Sequence, residues 1–365
     1  MKNRFAYRLG ASVLLAGLLV APFSSVRADE GDDDYKLALG LYKDERWTLA
    51  ETAFQNFLTS HKDHPRSPLA RLYLGQAQVQ LKKYGAARST LQNFVKKHPT
   101  SRDVPHAEYR IAECSYFLGM LEDAEKGFAA FTKDHEKDPL NEMAWAYLGD
   151  SQRRLKQYDK AAASLKTSLD LFPKGRMADE ARFGLAQSTE KLEKIPDAIA
   201  LFREVAADET SKRAAEAQLQ IGTLLFRGKK FADATTEYQK LPESFPDSTL
   251  VPTAWLNSGF SLYELGEFQK AMSAFDKAES GFESRAKDRS QFITAGYWKG
   301  LCLKALEAYE DAAKVLATVA ESGSEDPLAE SILYQLADCT FRAGNLQQAE
   351  QRFLVVTSRW PNGRY

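Results

Sequence analysis

From about residue 31 onward, apolar residues recur at spacings of three and four, the period of helices with one buried face. Over this pattern lies a second, longer one. An alanine follows a large apolar or aromatic residue by three positions and precedes another by four. It does so at Trp47-Ala50-Phe54, Tyr84-Ala87-Leu91, Leu121-Ala124-Phe128, Tyr158-Ala161-Leu165 and Ile195-Ala198-Phe202. It does so again at Phe231-Ala234-Tyr238, Phe268-Ala271-Phe275, Tyr309-Ala312-Leu316 and Leu346-Ala349-Phe353. The alanines are 37, 37, 37, 37, 36, 37, 41 and 37 residues apart. A second small residue stands twelve positions before each: Ala38, Gly75, Ala112, Gly149, Ala186, Gly222, Gly259, Gly300 and Ala337. About twelve positions after, the chain often reaches proline, as at His98-Pro99, Phe172-Pro173, Phe245-Pro246 and Trp360-Pro361. Each unit therefore predicts two amphipathic helices joined by a short turn, with small residues where the helices approach closely and proline ending the second.

The order Trp145-Ala-Tyr-Leu-Gly149, then Tyr158, Ala161, Leu165 and Pro173, resembles the tetratricopeptide repeat (TPR). The resemblance implies an all-α fold, a right-handed α-α superhelix of about nine helix-turn-helix repeats. They start near residues 31, 68, 105, 142, 179, 215, 252, 293 and 330 of a segment 29–365. The period is typically three longer than the usual repeat of about 34 residues, with the extra residues after the proline. That elongated form resembles the TPRs of bacterial envelope proteins, the Tol–Pal accessory protein and the β-barrel assembly lipoprotein. An N-terminal coiled coil, usual in the first, has no room here, and the lipid-bearing cysteine of the second is absent. What the resemblance implies is a scaffold that binds proteins or peptides of the envelope.

By the same resemblance, the first helix of each repeat lines a concave groove. The positions that would face it hold Tyr35, Tyr42, Tyr109, Tyr116, Phe117, Phe183, Phe226, Phe260, Tyr263, Tyr297, Tyr334 and Phe341, with Arg153, Arg154, Lys191, Arg227, Lys304 and Arg342 between them. Aromatic and arginine side chains are enriched where proteins bind one another.

The first residues have a different pattern. Lys2, Arg4 and Arg8 precede an uncharged apolar run, Leu9 to Val20, too short for the roughly 20 residues that cross a bilayer. Pro22 and the small residues up to Ala28 follow. Residues 1–28 thus read as a secretory signal peptide cleaved after Ala28. With Leu18 where a lipoprotein needs cysteine, the expected product is an unlipidated, soluble periplasmic or secreted protein with no transmembrane span.

Composition narrows the chemistry. The 365 residues carry 49 Lys+Arg against 50 Asp+Glu, and include 50 Ala. After residue 28 the balance is 45 against 50, which argues against nucleic acid as a partner and against an RNA-reading helical repeat. The repeats use the chain to its end, so no catalytic domain, cofactor or metal is expected. His61-Lys-Asp-His64 suggests a metal site in isolation, but His61, His98 and His135 occupy the place that Phe172, Phe245 and Trp360 hold elsewhere. That is a packing position at the end of the second helix. Cys114, Cys302 and Cys339 likewise share a slot filled by Ala77, Ser151, Ser188 and Ser261, and are expected to be buried, unpaired thiols.

The favoured role is a non-catalytic scaffold for envelope organisation or outer-membrane assembly. The alternatives are an adaptor in polysaccharide export or protein secretion, and a regulatory subunit of an envelope enzyme. The last repeat is expected to lack a capping helix and to expose Leu333, Leu336 and Val356, a face for a second copy, for a partner or for further repeats.

Overall fold

A computed structural model of the chain describes residues 30–365 except 209, 284, 323 and 324. The expected signal peptide and its cleavage site lie outside the described residues. Among these there are eighteen α-helices and no strand, and the helices alternate as first and second members of nine hairpins. The hairpins are α1 (Glu30–Lys43) with α2 (Trp47–Ser60), α3 (Ser67–Gln80) with α4 (Tyr84–Lys97), and α5 (Val104–Phe117) with α6 (Leu121–Asp134). Next come α7 (Asn141–Arg154) with α8 (Tyr158–Leu171), α9 (Ala178–Lys191) with α10 (Ile195–Ala207), and α11 (Ala214–Arg227) with α12 (Phe231–Ser244). The last three are α13 (Val251–Glu264) with α14 (Phe268–Phe282), α15 (Arg289–Ala305) with α16 (Tyr309–Ser322), and α17 (Ala329–Arg342) with α18 (Leu346–Arg359). The longer spacing before the eighth repeat is absorbed by a 3₁₀ turn, Ala286–Asp288, and by three extra residues in α15, which has 17 where most helices have 14. No described helix is long and apolar enough to cross a membrane.

The helices form two compact units, one ending at Arg110 and one from Ile111 on. In the first, α1 to α4 pack each against the next; in the second, α6 to α18 do the same. The repeat alanines sit at these contacts, all of them buried, from Ala50 to Ala349. The small residue of the first helix faces the large residue of the second. A Cβ built on Gly75 would lie 2.6 Å from Leu91, one on Gly149 2.5 Å from Leu165, and one on Gly259 2.5 Å from Phe275. Helix axes that close leave no room for a methyl group unless the neighbour moves.

One feature of the turns escapes the hydrophobic pattern. Every hairpin turn contains a single residue in the left-handed region. It is Glu45, Lys82, Lys156, Glu193, Lys229 or Glu307 in six repeats and Gly119, Gly266 or Gly344 in three. The hydrogen bonds around it are those of a Schellman cap. In the first repeat, Arg46 N–H donates to the Leu41 carbonyl at 2.9 Å and Glu45 N–H to the Tyr42 carbonyl at 3.0 Å. The left-handed residue thus stops the first helix and turns the chain into the second.

The histidines of the repeat end the second helices. His61, His98 and His135 are C-caps, each donating its backbone N–H to a carbonyl four residues back. Their rings lie 5.4, 5.7 and 5.1 Å from those of Phe57, Phe94 and Phe131. Phe172, Phe245 and Trp360 cap α8, α12 and α18 in the same way. The three cysteines are buried.

The last repeat departs from expectation. Leu336 and Val356 are buried and Leu333 is half-buried. Leu336 turns back into the cluster of Leu316, Val319 and Cys339, so the preceding hairpin already covers it. The large apolar side chains exposed on α18 are Leu346, Leu354 and Val355. The final residues fold onto α17: the Tyr365 ring stacks on Tyr334 at 4.0 Å, and the Arg364 N–H donates to Glu330 Oε1 at 2.6 Å.

Candidate functional site

The first helices of the third to sixth repeats, α5, α7, α9 and α11, contribute side chains to one cleft in the second unit. Its volume is about 360 Å³. Tyr116 and Tyr147 form one wall, their ring centroids 4.8 Å apart. Phe183 forms another, with Ala146, Ala181 and Gly184 as a floor of small residues. Polar groups converge on the rim. Tyr116 Oη donates to Asp150 Oδ2 at 2.6 Å, while Arg153 donates to Oδ1 of the same carboxylate from Nε at 3.1 Å and Nη2 at 2.5 Å. Burial and the bond to Asp150 together push the Tyr116 hydroxyl well above the usual tyrosine range, so it remains a hydrogen-bond donor at neutral pH. The Arg154 guanidinium lies 5.2 Å from the Tyr116 ring centroid, and that of Arg213 5.2 Å from Phe183. Arg213 Nη1 also donates to Glu216 Oε2 at 2.8 Å.

Of the residues expected in a groove, Tyr116, Arg153 and Phe183 line this cleft, and Phe117 and Arg154 pack beside it. Lys191 lines a second, smaller recess that shares Arg153 and Gln187 with it. There Glu190 accepts from Arg227 Nη1 at 2.6 Å. Phe226 packs edge-on against Phe231, 5.3 Å away.

The remaining expected residues form separate groups. Phe260 and Tyr263 pack on Trp298 at 5.2 and 5.0 Å. Lys304 and Arg342 both bond Asp338, at 2.7 and 2.9 Å, and Phe341 is exposed beside them. Tyr334 is held between Phe353 and Tyr365.

Four of the expected groove rings are buried instead. Tyr109 is fully buried, and Tyr297 is buried with its hydroxyl pushed up to about 12, chiefly by desolvation. Phe183 is only 4% exposed and packs 5.5 Å from Phe202, so it serves the core and offers the cleft one edge. In the first unit Tyr35 is buried too, and Tyr42 is half-buried, donating to Gln76 Oε1 at 2.7 Å. The inner face of a tight helix pair is filled by its own rings, which a rule based on position alone does not reveal. Residues that the expectation passed over, Tyr147, Asp150, Glu180, Gly184 and Arg213, complete the cleft.

Comparison with known proteins agrees with this architecture. A tetratricopeptide-repeat family model matches residues 35–102 and 116–176. The model for the N-terminal domain of the type VII (ESX-1) secretion system protein EccA1 matches residues 147–352, more than half of the chain. The outer membrane protein assembly factors BamD of two Xylella fastidiosa strains, 9a5c and Temecula1, are each 25% identical over 158 residues, 42% of this chain. The chain spans about half the length of these curated relatives, 48% and 47%. Among solved structures, the C-terminal part of a TPR protein of Cytophaga hutchinsonii aligns with TM-score 0.60 and 14% identity, covering 72% of this chain and 99% of that one. The apo form of RapI aligns with TM-score 0.53 and 14% identity over 91% of this chain and 87% of its own. Eighteen helices in nine hairpins and these matches together establish that the chain belongs to the tetratricopeptide repeat proteins, its residues 147–352 in the family of the EccA1 N-terminal domain.

Proposed function

We propose that this protein is a non-catalytic periplasmic scaffold whose cleft on α5, α7, α9 and α11 binds peptide segments of other envelope proteins, in envelope organisation or outer-membrane assembly. The observation that carries the reading is the cleft itself, a recess of aromatic walls with arginines and carboxylates held at its rim. Such a surface offers apolar contact, stacking and hydrogen bonds to an extended chain without requiring a single fixed small molecule. The likeness to BamD supports the envelope context, as do the basic start and short apolar run of the first 28 residues.

A photo-crosslinking amino acid placed at Arg154, beside the cleft, tests this in the living host. The expected result is a crosslinked envelope protein whose yield collapses when Tyr116 and Phe117 are changed to alanine. Crosslinks only to cytoplasmic proteins, or a yield indifferent to those changes, refute it.

The match to the EccA1 N-terminal-domain model favours a second reading, an adaptor in protein secretion. Under it the crosslinked partner is a component or cargo of a secretion machine rather than an outer-membrane assembly factor.

A further inference from the structure

One first-helix position in the lining of the cleft carries no side chain. Fourteen residues before the repeat alanine, the first helix carries a long or aromatic side chain in eight of the nine repeats. It is Tyr73, Tyr147 or Trp298 in three, Lys36 or Arg110 in two, and Gln or Asn in the others. The fifth repeat has Gly184 at this place, in the middle of α9, where glycine costs a helix about 1 kcal/mol relative to alanine. Packing asks less of it than of the hairpin glycines, since a Cβ there is tight against one Leu165 methyl rather than in outright clash. A Cβ on Gly184 would meet only Leu165 Cδ1 at 3.2 Å and, farther out, Leu165 Cδ2 at 3.9 Å and Arg153 Nε at 4.0 Å. The glycines at 75, 149 and 259 are different, since there a Cβ falls within 2.6 Å of a neighbour. Gly184 lines the cleft and leaves open the space that Tyr73, Tyr147 and Trp298 take in their own repeats by packing on neighbouring rings.

One charge around that space is uncommitted. Asp150, Glu180 and Glu216 line it with Arg153 and Arg213, and the Arg154 guanidinium lies over the Tyr116 ring beside it. Asp150 uses both oxygens on Tyr116 and Arg153, and Glu216 is bonded by Arg213. Glu180 is exposed at the mouth, without an ion-pair partner among the described residues. With tyrosine rings as walls, an uncommitted carboxylate at the mouth favours a cation over an anion or a neutral side chain.

We propose that the cleft is a socket for one basic side chain, lysine or arginine, of a bound peptide, with Gly184 making the space and Glu180 supplying the counter-charge. This rests on the peptide-binding reading and adds to it the residue class that is recognised. The bound side chain takes the space that Tyr73, Tyr147 and Trp298 take in their own repeats, but it comes from another molecule.

Selection of random dodecapeptides displayed on phage against the purified protein tests the socket. The selected peptides should share a lysine or arginine at one position, and changing that residue to glutamate should weaken binding about tenfold or more. Gly184→Gln, which restores a side chain that other repeats carry, should weaken the same peptides about tenfold while keeping the melting temperature within about 4 °C of the wild type. Glu180→Gln, at an exposed position with no role in packing, should weaken them several-fold and so keeps the test open if the first variant folds poorly. Selected peptides without a shared basic residue overturn the socket and leave peptide binding standing. So does basic-residue-dependent binding that neither variant alters. A failure to select any peptide overturns peptide binding itself.

Discussion

At the scale of single residues, the turns and the buried ionisable groups carry the sharpest consequences. The left-handed turn residue recurs in all nine repeats, yet six of them place a Glu or Lys there, where an L-residue is strained by roughly 1–2 kcal/mol relative to glycine. Gly266→Lys should therefore lower stability by about 1 kcal/mol, whereas Lys156→Gly, at the equivalent exposed position, should leave it unchanged or raise it. Paired thermal melts check the contrast, and equal losses from both changes would remove turn strain as the explanation. Glu237 offers a pH test. Burial by itself raises its pKa, but the bonds from Gln218, Lys240 and Arg203 outweigh burial and leave it lowered. A carboxylate with a depressed folded pKa contributes stability above its unfolded value, near pH 4.3, and that contribution is lost as pH falls through the folded pKa. Glu237→Gln should cost about 1–2 kcal/mol at pH 7, and its difference from the wild type should shrink steadily below about pH 4. Chemical denaturation at a series of pH values measures this. Cys302 makes a simpler case: desolvation pushes its thiol up to about 12, so it should resist iodoacetamide in the native protein and react only after unfolding.

At the scale of the helix and the hairpin, two glycines of similar appearance should respond very differently. Gly149 lies where α7 meets α8, and a Cβ there would fall 2.5 Å from Leu165 Cγ and 3.3 Å from its backbone nitrogen. Gly149→Ala should overpack the hairpin and cost about 1–3 kcal/mol. Gly184→Ala, whose Cβ would meet only the end of Leu165 at 3.2 Å, should be near neutral, a helix-propensity gain of up to about 1 kcal/mol offsetting the small shift asked of that methyl. Differential scanning calorimetry of the two variants decides whether the close approach and the cleft are where the structure puts them. The repeat sequence made the first of these glycines legible, because Gly75, Gly149, Gly222, Gly259 and Gly300 alternate with alanine at a fixed distance from the repeat alanine. It made the histidines legible for the same reason, since Phe172 and Trp360 share their place. It did not reveal Gly184, because that glycine breaks a series of dissimilar side chains. Nor did it separate Tyr116, which lines the cleft, from Tyr109 and Tyr297, which fill the core. All three lie on first helices, and whether a ring faces inward or is covered depends on the side chains of the neighbouring repeats. The exposure of Leu354 and Val355, by contrast, is legible in the repeat register: six of the other eight repeats place only polar or charged residues at these two positions, the third has Ala129 and Ala130, and the eighth has Ala317 with Thr318.

At the scale of the whole molecule, each hairpin contacts mainly its chain neighbours. First helices of adjacent repeats add a few contacts, as between α7 and α9. A fold held together in this way is nearly one-dimensional, and its stability is close to a sum of repeat and neighbour terms. A defect should then weaken the hairpin that holds it and its immediate neighbours, leaving distant helices protected. Gly75→Val supplies such a defect, because its new side chain begins where a Cβ already lies 2.6 Å from Leu91. The strain falls on α3 and α4, within the first compact unit. Hydrogen exchange followed by mass spectrometry should show faster exchange in peptides from α3 and α4, with the amides of α13 to α16 exchanging as in the wild type. If instead all eighteen helices lost protection together, the molecule would unfold as one cooperative body, and neighbour contacts along the chain would not account for its stability. Local opening also bears on binding. A scaffold whose repeats loosen one at a time can adjust the cleft between α5 and α11 to a peptide without unfolding the hairpins on either side, and the same exchange experiment, repeated with a bound dodecapeptide, should slow only the amides of those first helices and their turns.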